Sequence, residues 1–144
     1  MISVKNISKQ YAARALFSDV SFDVLAGEKI GLVGRNGHGK TTLFRIIAGE
    51  EEPDEGKVFL PNNYSVGYLE QHLTFTKPTV LEEGCRGLGP EDIGAEWKVE
   101  KILSGLGFSE KDFNRNPSEF SGGFKIRLAL AKALVSEPNM LLLD

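Results

Sequence analysis

Gly34-Arg35-Asn36-Gly37-His38-Gly39-Lys40-Thr41 meets the pattern G-x-x-x-x-G-K-[ST] at every fixed position. Glycines let a backbone turn through conformations closed to other residues, so that successive N–H groups point inward and form a nest for an anion. A helix starting at the end of such a loop adds the positive end of its dipole. Lys40 is predicted to reach the β- and γ-phosphates of a nucleotide, and the Thr41 hydroxyl to ligate Mg²⁺. The loop, continued to Thr42, reads as the seat of a nucleoside triphosphate, Mg-ATP. Arg35, Asn36 and His38 occupy its variable positions, and His38 reads as a tolerated side chain rather than a catalytic base.

What flanks the loop supports this reading. Lys29 to Val33 is a short apolar run, the pattern of a strand buried on both faces. After the loop, Leu43, Phe44, Ile46 and Ile47 fall at helical spacing, and Gly49 sits where a helix C-cap belongs. Upstream, Ile2, Val4 and Ile7 read as one strand and Ala15 to Val24 as a second. Downstream, Glu50 to Gly56 reads as a turn, and Lys57 to Leu60 and Tyr64 to Leu69 as strands. From about Pro78 to Pro117 a weaker helical signal places Val99, Ile102, Leu103 and Leu106 on one face, with a glycine-rich loop from Gly84 to Gly94. Phe124 to Val135 reads as the strongest helix, with Ile126, Leu130 and Leu134 along one side. Pro138 stops it, and Met140 to Leu143 reads as a buried strand ending on Asp144.

The 144 residues have the length of a single domain, and 41% hydrophobic with 26% charged residues suits a globular chain with one core. A net charge of −3 gives no global attraction to nucleic acid or anionic lipid. The single cysteine, Cys85, excludes an internal disulfide and fits a reducing cytosol. No stretch approaches the ~20 apolar residues a membrane helix needs, so a soluble, cytoplasmic chain is expected.

A second cluster, Phe120-Ser121-Gly122-Gly123-Phe124, opens the strongest helix. Ser121 is a natural N-cap, and Gly122 and Gly123 leave their N–H groups uncovered, an end that can also accept phosphate. Alone, Ser-Gly-Gly is a common helix start; downstream of a phosphate loop it is informative.

Phosphate loop, then Gln71 after a strand, then Ser-Gly-Gly at a helix start, then Leu-Leu-Leu-Asp: in this order the chain resembles the ATP-binding cassette (ABC) family over essentially its whole length. The resemblance implies an α/β fold, a P-loop NTPase of ABC type. Its parts would be a mixed or parallel sheet core, an antiparallel β subdomain and a small helical subdomain. The core would take about 1–77 and 118–144, the helical subdomain about 78–117. It implies that Tyr11 stacks on adenine, and that Gln71 helps bind Mg²⁺ and senses the γ-phosphate. Asp144 would support Mg²⁺ at the end of the Walker B strand, giving Thr41, Gln71 and Asp144 around the metal and Lys40, Gln71 and Asp144 as the residues serving hydrolysis. Family members sandwich two ATP molecules between two cassettes, so Ser121, Gly122 and Gly123 would touch the γ-phosphate held by a second cassette, in the same chain or a dimer mate.

Transporter cassettes usually read Leu-Ser-Gly-Gly-Gln, whereas here Phe124 replaces the glutamine and Lys125-Ile126-Arg127 follow. That, with the short interval from Lys40 to Gln71, looks like the first cassette of the ABC-F branch, translation factors acting on the ribosome and its RNA. The interval from Gln71 to Ser121 has little room for the helical arm common in that branch. The alternatives are the ATP-binding subunit of a transporter, with a membrane partner, and a nucleotide-responsive binding module with incidental hydrolysis. In the family a catalytic glutamate follows the position of Asp144. The chain therefore reads as a fragment truncated at the Walker B strand, expected to hydrolyse ATP negligibly by itself.

Overall fold

The computed structural model describes residues 1–144, which form two compact units: Met1–Tyr64 with Asp144, and Ser65–Leu143. In the first unit, β1 (Ile2–Tyr11) pairs antiparallel with β2 (Arg14–Val24) on one edge and with β3 (Glu55–Phe59) on the other. Strand alternation buries Ile2 and Val4 on one face. Ile7 breaks the even spacing yet is also buried. A bulge accounts for this: Asn6 adopts φ 52°, the ladder to β2 shifts between Val4 and Ile7, and the Ser21 hydroxyl accepts the Asn6 N–H at 2.8 Å.

α1 (Lys40–Ala48) buries Leu43, Ile46 and Ile47, one face at i, i+3, i+4 spacing. Gly49 ends it at φ 79°, and its N–H turns back to the carbonyls of Arg45 and Ile46, the left-handed C-cap its position predicts.

One expectation fails in this unit. Lys29 to Val33 forms no strand, and Ile30, Leu32 and Val33 stand exposed, Val33 at 94%. An apolar run becomes a buried strand only where neighbours supply hydrogen bonds at its edges and cover for its faces, and no strand of the chain pairs with this one.

In the second unit, β4 (Val66–Leu69) and β5 (Met140–Leu143) pair in parallel, from Val66 opposite Met140 to Leu69 opposite Leu143. Between them run α2 (Val80–Cys85), α3 (Glu96–Gly105) and α4 (Gly122–Leu134), joined by short 3-10 turns. Val80, Val99, Leu103, Phe108, Phe113, Leu128, Ala131 and Val135 form the core. Gly84 lets α2 and α3 approach closely, since a Cβ there would lie 2.6 Å from Val99 Cγ1. The buried face of α4 is not Ile126, Leu130 and Leu134: Ile126 is 52% exposed, and the stripe on the core is Phe124, Leu128, Ala131 and Val135. Antiparallel sheet, parallel strands and helices together make the expected α/β architecture.

Candidate functional site

The phosphate loop owes its shape to two glycines. Gly37 (φ 78°) and Gly39 (φ 91°) adopt left-handed backbone, which side chains disfavour. At Gly39 space is also short, because a Cβ would lie 3.0 Å from Phe17 Cδ1 and 3.2 Å from Leu16 Cβ on β2. The His38 N–H closes a turn onto the Arg35 carbonyl at 3.3 Å, and Leu43 N–H bonds the Gly39 carbonyl at 2.9 Å. Gly39 caps α1 without a side chain, and no acidic residue lies in the first turn. The first N–H groups at the dipole's positive end are thus left without a side-chain cap.

Lys40 folds back so that its ammonium donates to the Gly34 carbonyl. It thus spans the loop back to Gly34, the first fixed position of the pattern. Thr41 and Thr42 follow in the first turn of α1, and the Thr42 side chain hydrogen-bonds Tyr11. Tyr11, at the end of β1, also donates its hydroxyl to Glu51. The Glu51 bond, then burial, raises its phenol above the ordinary value. Tyr11 and the loop are therefore brought together within the first unit.

In the second unit, Gln71 lies exposed on a bend two residues after β4. Ser121 takes the N-cap of α4, but its side chain makes no capping bond, and Ser121, Gly122 and Gly123 are all exposed. Aromatic rings bracket them. Phe120 and Phe124 pack edge-on against Phe108 with centroids 5.5 Å and 5.2 Å apart. The Arg115 guanidinium lies 4.4 Å from the Phe120 centroid, and that of Arg127 lies 4.8 Å from Phe124. Asp144 directly follows β5 and groups with the first unit.

Two groups of residues escape a reading of the sequence. Glu83 is fully buried and accepts the Thr76 and Lys77 N–H groups at 3.1 and 2.9 Å on one oxygen, with Arg86 at 2.8 Å and Lys132 at 3.1 Å on the other. It thereby ties the segment after Gln71 to α2 and α4. Burial alone would raise its pKa; the backbone bonds from Lys77 and Thr76, followed by Lys132 and Arg86, outweigh it and hold the carboxyl below its ordinary value. The sequence offered only an acid in the weakly helical stretch from about Pro78 to Pro117, beside a run that reads as a glycine-rich loop. The second group, Lys9, Glu51 and Asp54, looked like a solvated turn facing a strand.

The ABC transporter family matches residues 17–144. Among curated relatives, the chain is 34% identical to the uncharacterized ABC transporter ATP-binding protein YfmM of Bacillus subtilis, over 100% of the chain and 36% of that protein. It is 40% identical to the sulfate/thiosulfate import ATP-binding protein CysA of Burkholderia mallei, over 99% of the chain and 45% of the relative. To ABC transporter F family member 5 of Arabidopsis thaliana it is 32% identical, over 99% of the chain and 27% of the relative. The chain thus spans less than half the length of each. The fold is similar to the cassette MJ0796 in a dimeric, post-hydrolysis state bound to ADP and Pi, with a TM-score of 0.85 over 100% of this chain and 73% of that one, at 24% identity. No helix is long and apolar enough to cross a membrane. With its phosphate loop at the head of α1 and its match over residues 17–144, the chain belongs to the ABC transporter family.

Proposed function

We propose that the chain binds Mg-ATP on Gly34–Thr42, as part of an ABC-F-type cassette that works as a nucleotide-gated clamp on the ribosome. The observation that carries the nucleotide reading is the loop itself. Left-handed Gly37 and Gly39 turn it onto the uncapped N-terminus of α1, with Lys40 folded across to Gly34. Gly34, Arg35, Asn36, Gly37, His38 and Gly39 would supply the backbone around the phosphates, and Tyr11 the surface for the base. No three His, Cys, Asp or Glu side chains gather to hold a metal by themselves. The oxygen donors of Thr41, Gln71 and Asp144 suit Mg²⁺, which keeps several waters and is held largely by substrate phosphates. Bound there, Mg²⁺ would neutralise charge on the transferred phosphoryl group. In this reading about 1–77 and 118–144 make the nucleotide-binding core and about 78–117 the helical subdomain. Ser121, Gly122 and Gly123 face the nucleotide of a second cassette.

Phe124 in place of the transporter glutamine supports the ABC-F branch, as does the likeness to F family member 5. The likeness to CysA, a sulfate/thiosulfate import ATP-binding protein, favours the second reading, the ATP-binding subunit of a transporter. Sedimentation with purified ribosomes in ATP and in ADP separates the two. ATP-dependent pelleting with ribosomes supports the clamp; ribosome-free protein in both nucleotides refutes it and leaves the transporter subunit.

A further inference from the structure

The acidic stretch after α1 is more than a turn. Lys9 of β1 donates to the Glu52 carbonyl at 2.8 Å and pairs with Glu51 at 3.3 Å and Asp54 at 3.6 Å. The same stretch is laced to β1 by two further bonds, from Gln10 N–H to the Asp54 carboxylate at 2.8 Å and from Asp54 N–H to the Ser8 carbonyl at 2.9 Å. Held this way, the Lys9 side chain is only 13% exposed and that of Glu51 20%, unlike the free surface lysine and glutamate their positions suggest. Both converge on Tyr11. The Lys9 ammonium lies 5.4 Å from the centre of its ring, and Glu51 accepts its hydroxyl proton. Thr42 completes the cradle from α1. Tyr11 itself stays 48% exposed, so the cradle fixes the ring without hiding it.

We propose that Lys9 and Glu51 are positioning residues that pre-set the Tyr11 ring for a planar base, one ring face backed by the ammonium and the phenol tethered by the carboxylate. The inference rests on the reading of Tyr11 as the base-stacking residue. A ring fixed before the ligand arrives loses less freedom on binding. A cation on one face leaves ring surface available to a stacking partner. The chain would therefore grip the base as well as the phosphates, and Lys9 and Glu51 would govern only the first of these.

Calorimetry with Mg²⁺ and two ligands, ATP and inorganic tripolyphosphate, separates the contributions, because tripolyphosphate tests the loop without a base. Lys9→Gln and Glu51→Ala are each expected to weaken ATP about three- to fivefold while leaving tripolyphosphate within about twofold. Lys9→Arg keeps the cation and is expected to restore ATP binding. Equal weakening of both ligands would mean that the two residues merely support the fold, and would overturn the inference. Unchanged ATP binding in both variants, with Tyr11→Ala still selectively weakened, would overturn it too and leave the stacking role of Tyr11 intact. If Tyr11→Ala itself lost no preference for ATP over tripolyphosphate, the stacking reading would fall and the inference with it.

Discussion

Glu83 concentrates more interactions than any other acid in the chain: two backbone N–H groups and two cations on one fully buried carboxylate. Removing one side of a buried charged network leaves the remaining charges and donors unpaired, at a cost of about 3–5 kcal/mol. Glu83→Ala is accordingly expected to lower unfolding stability by about 3 kcal/mol in a urea titration. The pH dependence follows from the direction of its shift. The folded carboxyl titrates below the ordinary glutamate value of 4.5, so its stabilisation is complete above that value and is lost as pH falls through the folded pKa. Acid titrations followed by circular dichroism should show a shallower stability loss below pH 4.5 in Glu83→Gln than in the parent chain. Gly39 is a second residue whose replacement has a defined cost. Its φ of 91° and the 3.0 Å approach to Phe17 make Gly39→Ala destabilising by about 1–2 kcal/mol, with loss of nucleotide binding as the loop shifts. Such glycines are legible in a sequence because their spacing is a local property. The partners of Glu83 are not, since Lys132 and the Thr76 backbone meet it only after α2 and α4 have packed.

At the level of elements, α1 matched its sequence signals because its apolar spacing and the Gly49 cap agree with each other. The existence of α4 was equally legible, yet its orientation was not. Three large side chains, Ile126, Leu130 and Leu134, suggested one face, while the core took the neighbouring stripe through Phe124, Leu128, Ala131 and Val135. Small alanines pack where helices approach closely, and an apolar side chain elsewhere can stay in solvent. The consequence is measurable by denaturation. Leu128→Ala is expected to cost about 2–5 kcal/mol, and Ile126→Gln to change stability by no more than about 0.5 kcal/mol. A large loss from Ile126→Gln would mean that the Ile126 side chain is packed rather than solvent-facing.

Across the whole molecule, the largest departure from expectation is the run Lys29–Val33. Its composition calls for burial, but Ile30, Leu32 and Val33 face solvent, and Leu143 of β5 is 56% exposed. Neither residue identity nor periodicity could reveal this, because burial of a strand depends on which neighbours the sheet supplies. Exposed apolar side chains so close together in sequence as Ile30, Leu32 and Val33 favour association. Sedimentation velocity is therefore expected to detect concentration-dependent oligomers of the chain, reduced in Val33→Lys. A monomer at every concentration would contradict that expectation. The phosphate loop, in contrast, keeps its turn beside this uncovered run, because Gly37, Gly39 and α1 hold it locally. The proposed function requires that this loop take a nucleotide. Mg²⁺-dependent calorimetry of ATP with the chain and with Lys40→Ala asks this directly: saturable binding that Lys40→Ala abolishes is the predicted result, and no binding by chain that circular dichroism shows to be folded would contradict it.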